Sequence, residues 1–305
     1  MSASLFSKTV PTSEAGRPML ALAAMAAATF FWAVLENFGA FLPKGYAPIQ
    51  TVWSRYLVHL IFMIIVFSPR KGFDLVKTGC LGLQISRAML MVAMPACFIV
   101  GKELLPIRAV WLLSWSSVVI LLVMGLILLG ETVSLWQWIA AGLCWIGVWV
   151  MSGADLPPLS WRYLLPIGMG FSFALYVTLT RRMSGESTNT KLFHTALWVF
   201  LAVSLVVPFQ WTMPSLKAII VYICIGLSGY LGLFFLDKSI ELAPVSLTAP
   251  LICTVPVWSC LQLFILTRRT PGWSAITGAL LISTSSAFIA WAVWSGRVQF
   301  GNADI

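Results

Sequence analysis

Apolar runs of roughly 17 to 25 residues, each long enough to cross the hydrocarbon core of a bilayer, follow one another through this sequence almost from end to end. They fall at 18–42, 47–67, 79–100, 109–129, 133–151, 163–179, 192–209, 218–236, 244–266 and 273–294. With 60% hydrophobic and 10% charged residues, the chain lies outside the balance of soluble domains and has no water-soluble fold open to it. The gaps carry loop punctuation: Pro43-Lys44-Gly45, Pro69-Arg70-Lys71-Gly72, Pro157-Pro158 and the polar stretch from Arg181 to Lys191. Several connections are so short that neighbouring helices must run antiparallel. The expected fold is therefore an all-α polytopic membrane protein of ten transmembrane helices, flanked by cytoplasmic tails at 1–17 and 295–305.

The net charge of +9 does not indicate nucleic acid, because the basic residues sit singly or in pairs between apolar runs and form no long cluster. Topology and anionic headgroups account for them. An inside N-terminus puts Lys8, Arg17, Arg70, Lys71, Lys77, Arg181, Arg182, Lys191, Lys238 and Arg297 on the cytoplasmic face, against Lys44, Lys102, Arg108, Arg162, Lys217, Arg268 and Arg269 on the other. Both termini are thus expected in the cytoplasm. All six cysteines lie in apolar runs without disulfide or metal spacing and read as reduced packing residues. The polar stretch before Arg17 has no small-residue cleavage site after it, so the first helix reads as retained.

An internal repeat is visible. Glu103-Leu104-Leu105-Pro106, ahead of the fourth run, returns as Glu241-Leu242-Ala243-Pro244 ahead of the ninth, and the 132–136 loop has a counterpart at 270–273. Two five-helix units, 18–152 and 161–294, are expected, inverted with respect to one another because each holds an odd number of helices, with a cavity between them.

The residues that carry this pattern resemble the drug/metabolite transporter superfamily and its ten-helix EamA-type family. They are Ala47-Pro48-Ile49-Gln50 through Arg55-Tyr56-Leu57, Gly130-Glu131 followed by Leu135-Trp136-Gln137-Trp138 and Ala141-Gly142, Leu242-Ala243-Pro244-Val245-Ser246 through Pro250 and Pro256, and Gly278 to Ile282. Arg268 and Arg269 stand where a second Gly-Glu turn would fall, so Glu131 reads as a loop or helix-end residue. The resemblance covers almost the whole chain. It implies an inverted-repeat bundle with a central cavity and a small metabolite as cargo, exporters of amino acids being prominent members, in a bacterial inner membrane.

Ionisable groups within spans are costly and usually face a protein interior or a cavity. Glu36 lies one turn from Trp32, an acid and an indole on one helix face suited to an amine or a proton. Arg55 and His59 repeat the spacing on the second helix and offer a carboxylate partner, an ion-pair mate for Glu36, or a proton relay. Arg87 reads as structural, its long stem snorkelling to headgroups. Trp111, Ser114 and Trp115, the stripe Ser172, Tyr176 and Thr180, the pair Tyr230 and Phe234, and the stripe Thr254, Trp258 and Gln262 offer cavity walls. Several of the 15 tryptophans must instead form interfacial belts. Pro95, Pro250 and Pro256 fall inside spans, where each removes a backbone donor and can kink a helix.

P-loop, Gly-x-Ser-x-Gly, His-Glu-x-x-His and Cys/His metal motifs are absent from the sequence. The reading is of a cofactor-free secondary transporter, an exporter of aromatic or neutral amino acids or related metabolites, with protons as candidate coupling ion and a monomer or homodimer as assembly. An importer of a vitamin or quaternary amine and a non-transporting scaffold are the alternatives.

Overall fold

The computed structural model describes residues 17–297; the expected tails lie outside the described residues except for Arg17 and residues 295–297. Every regular element among the described residues is helical: α1 (Pro18–Ala40), α2 (Pro48–Lys71), α3 (Leu81–Leu104), α4 (Ile107–Ser114), α5 (Ser117–Leu129), α6 (Leu135–Ser152), α7 (Leu164–Arg182), α8 (Thr188–Ser204), α9 (Leu216–Leu242), α10 (Val245–Thr248), α11 (Val255–Thr267) and α12 (Trp273–Trp294), with short 3-10 turns between some of them. In a bilayer every backbone polar group must be satisfied internally, and helices do this segment by segment.

Among the described residues nine stretches are long and apolar enough to cross a membrane, α4 with α5 and α10 with α11 each counting as one. The remaining expected span corresponds to α8, 17 residues long, short of the roughly 20 that a full crossing takes. Local sequence sets the ends. Proline opens α1 and α2, where its missing N–H costs nothing. Ser187 and Ser215 accept hydrogen bonds from the Thr190 and Ala218 amides at the starts of α8 and α9. Gly130 closes α5 and Gly153 closes α6 in left-handed conformations.

The expected fourth and ninth helices are each broken. The fourth parts at Trp115 and Ser116 into α4 and α5. The ninth passes through a 3-10 turn, Ala249–Thr254, between α10 and α11. Pro250 lies in that turn and Pro256 in the first turn of α11, so these prolines mark a break where the sequence suggested a kink. Gly170 makes the first break possible: a Cβ there would stand 2.8 Å from the Ser114 carbonyl oxygen. Pro95, in contrast, is carried within an unbroken α3.

The chain reverses at the connections between spans, though not at the breaks within the fourth and ninth, so the helix ends fall into two layers, the Arg17 end and the Lys44 end. Close crossings rest on small residues. The Gly278 backbone meets that of Gly147 on α6, where a Cβ at Gly278 would lie 2.5 Å from the Gly147 carbonyl oxygen.

Candidate functional site

A cavity of about 290 Å³ lies between the two halves of the chain, in the part of the bundle toward the Lys44 end. Both helix breaks reach it: Ser114, Trp115 and Ser117 line it from one, Ile252 and Val255 from the other. Interrupted helices at matching places in two halves are where membrane transporters build solute sites, since unwound backbone is tolerated only where protein or a cavity surrounds it.

Among the described residues, Glu36 from α1 and Arg55 from α2 are the only carboxylate and guanidinium lining it. Among the described residues Glu36 has neither a hydrogen bond nor an ion pair, and Arg55 Nε has no hydrogen-bond partner. A direct Glu36–Arg55 ion pair, one of the alternatives open from the sequence, is thus not formed. The Arg55 guanidinium instead lies over the Tyr56 ring, 5.1 Å from its centroid. It is seated against α9 at Gly229, where a Cβ would stand 2.5 Å from Arg55 Nε; one turn further, Gly232 receives the Trp32 indole in the same way. A glycine trench in α9 therefore fixes both the basic group and one aromatic wall.

Trp32, Trp111 and Trp115 line the cavity, with Phe98, Phe173, Met91, Met94, Pro95 and Met169 beside them. Methionine packing and the α3 face were not read from sequence; Pro95 was the one signal on that face. Flat aromatic walls with adaptable thioethers suit an apolar or aromatic group.

The other five predicted residues do not line this cavity. His59 is 1% exposed, stacked on Tyr56 and edge-on to Tyr230, because its position on α2 turns it below the cavity toward α9. Tyr176 is fully buried under the Arg87 guanidinium at 4.9 Å. Tyr230 packs on Phe62 and Phe234 and faces a separate surface pocket with Phe67 and Lys238. Thr254 and Trp258 point at α1 instead: the Thr254 hydroxyl lies 2.8 Å from that of Thr29, and Trp258 meets Phe30 edge-on. Their stripe ends at Asn37, which donates to Gln262 and accepts from Ser259, making it a helix-to-helix seam.

The Arg17 end is closed by polar links between elements of both halves. Glu131 accepts the amides of Val245 and Ser246 at 2.9 and 2.8 Å, capping the start of α10, where helical N–H groups have no other partner. It is therefore a bridge between the halves, beyond the loop role expected. Arg181 donates to the Ile240 carbonyl and Arg182 to that of Leu128. Lys191, expected in a loop, is buried and 3.0 Å from Glu241. Arg87 does not snorkel: it is fully buried and donates to Thr180, Thr195 and the Lys191 carbonyl.

Residues 19–153 match the EamA-like transporter family. The chain is 24% identical over 261 residues to an S-adenosylmethionine uptake transporter of Rickettsia prowazekii (strain Madrid E), covering 80% of this chain and 88% of that one. It is 25% identical to the protein of the same name from Rickettsia felis (strain ATCC VR-1525 / URRWXCal2), over 72% and 75% of the two chains, and 24% identical to Protein RarD of Escherichia coli (strain K12), over 74% and 73%. A crystal structure of a protein 16% identical in sequence superposes with a TM-score of 0.76, over 91% of this chain and 98% of that chain, so the fold is shared. The chain is a multi-pass membrane transporter and not an enzyme. Residues 19–153 are an EamA-family domain, and the chain as a whole is similar to transporters of the drug/metabolite superfamily.

Proposed function

We propose that this chain is a secondary transporter for a small α-amino-acid-type zwitterion with a flat or apolar side group, moved by alternating access. The observation that carries the reading is the opposed, unpaired Glu36 and Arg55 on an aromatic and methionine wall. A zwitterion satisfies both charges at once: its ammonium goes to Glu36, its carboxylate to Arg55, and its side group lies among Trp32, Trp111 and Trp115. The desolvation of each lone charge is offset only when the solute is present, which is what couples binding to occupancy.

In this reading the halves 18–152 and 161–294 act as inverted five-helix units, and with both termini in the cytoplasm of a plasma membrane the cavity faces outward. Aromatic amino acids fit this chemistry. So does S-adenosylmethionine, the cargo in the names of the rickettsial relatives, which joins an amino-acid head to an aromatic base and a sulfonium. Those names favour uptake over the export expected from sequence; the fold itself allows either direction, because flux follows the gradients.

Counterflow in proteoliposomes tests the reading. Vesicles loaded with unlabelled tryptophan or S-adenosylmethionine are expected to take up the labelled compound transiently above equilibrium. Exchange of neither zwitterion, with exchange of a vitamin or a quaternary amine, would replace this reading.

A further inference from the structure

Asp237 is fully buried near the Arg17 end of α9, and neither of its carboxylate oxygens has a hydrogen-bond partner. Arg87 Nη1 stands 3.7 Å from Oδ2, beyond the contact of about 2.7–2.9 Å that a committed guanidinium–carboxylate pair makes. Arg87 is anchored elsewhere, by Thr180, Thr195 and the Lys191 carbonyl, and its Nε is also unpartnered. The buried Tyr176 ring lies beneath the same guanidinium. A structural ion pair would use these groups on one another, since a buried polar atom left unmade costs about 1–3 kcal/mol and more when charged. Here both Asp237 oxygens and Arg87 Nε are left without a hydrogen bond.

The ionisable groups around Asp237 are Arg87 from α3, Tyr176 from α7, Lys191 from α8, and Lys238 and Glu241 from α9 itself. On α2, Tyr56 faces Arg87 and stacks with His59. Within α1 and α10 no ionisable side chain lies in this half of the bundle. Tyr56 also lines the solute cavity. Tyr56 therefore stands between Arg55 of the cavity wall, whose guanidinium lies over its ring, and Arg87, which stands 3.7 Å from Asp237.

We propose that Asp237 is the proton-binding site that couples ion movement to opening of the Arg17 end. One proton from water on one side of the membrane adds to a carboxylate oxygen of Asp237, and the carboxyl becomes neutral. Its attraction for Arg87 is lost, α9 is released from α3, and the same proton leaves to water on the other side. A sodium ion is the poorer fit, with a fixed guanidinium 3.7 Å away. The inference rests on the chain being a transporter and not on which solute it carries.

The test compares wild type and Asp237→Asn in proteoliposomes with labelled tryptophan, measuring uptake driven by an imposed pH gradient against exchange at equal pH. The ratio of gradient-driven uptake to exchange is expected to fall at least tenfold in the variant; an unchanged ratio overturns the proposal. Infrared difference spectra of purified protein between acid and neutral pH need no solute. A carboxyl C=O band in wild type that shifts in Asp237→Glu and vanishes in Asp237→Asn is expected. A spectrum insensitive to both substitutions overturns the proposal even where tryptophan is not carried, and exchange that ignores a pH gradient in wild type overturns it while leaving the transport reading intact.

Discussion

Glu36 on α1 and Arg55 on α2 line one cavity, and no ion pair joins them. Opposite charges in a low-dielectric site normally seek each other, because each is desolvated and their attraction is strong. Arg55 is withheld from Glu36 by its seat over Tyr56 and against Gly229. The gap between the two is the central feature of the functional account.

Replacing Glu36 with Gln removes the carboxylate charge and keeps its size. A hydrogen bond to a charged group contributes about 1.5–3 kcal/mol, so the half-saturation concentration for solute is expected to rise by roughly 10- to 100-fold. The melting midpoint should stay near that of wild type, because no protein partner of Glu36 is lost. Wild-type transport in this variant would remove Glu36 from the site.

Gly229→Ala tests the trench. Its Cβ would collide with Arg55 Nε at 2.5 Å, and overpacking of this kind costs about 1–3 kcal/mol. Weaker solute binding is expected with a lower melting temperature. Gly142→Ala, where a Cβ meets nothing within 4 Å, is expected to be neutral or slightly stabilising. Equal behaviour of the two variants would show that the trench does not position Arg55.

Glu131 caps α10 with both carboxylate oxygens. Truncation to Ala is expected to cost about 1–2 kcal/mol, and Gln, which retains one acceptor oxygen, about half of that. The corresponding turn of the other half holds Arg268, left-handed at φ 57°, which offers no acceptor. Charge there is expected to matter little to stability in thermal denaturation, in contrast to Glu131.

Glu241 accepts from Lys191, whose side chain is 1% exposed, and from Lys238, whose side chain is 42% exposed. Glu241→Ala leaves the Lys191 ammonium buried without its carboxylate and is expected to destabilise by about 3–5 kcal/mol. Lys238→Ala removes only the exposed partner and is expected to cost less than about 1 kcal/mol. Similar melting temperatures for the two variants would contradict this division.

Hydrophobic run length made the helices legible, and mid-span charge made Glu36 and Arg55 legible, because both are properties of the local chain. Asp237 was missed for a local reason as well: the apolar run ends at Leu236, while α9 continues through Asp237, Lys238 and Glu241 to Leu242. The breaks were half visible. Pro250 marks one, but the break at Trp115 carries no proline and depends on Gly170 of another helix. Likewise, nothing in the stripe of Thr254, Trp258 and Gln262 tells that it faces Asn37 and α1 in place of a cavity. Periodicity gives a face, and only tertiary packing says what the face meets.

The most direct measurement is inhibition of labelled tryptophan counterflow by analogues that lack one head group. Free amino acids and S-adenosylmethionine are expected to compete. Tryptamine, which lacks the carboxylate, and indole-3-propionate, which lacks the amine, are each expected to compete at least tenfold more weakly. Competition by either analogue at the level of tryptophan would contradict recognition by Glu36 and Arg55 together.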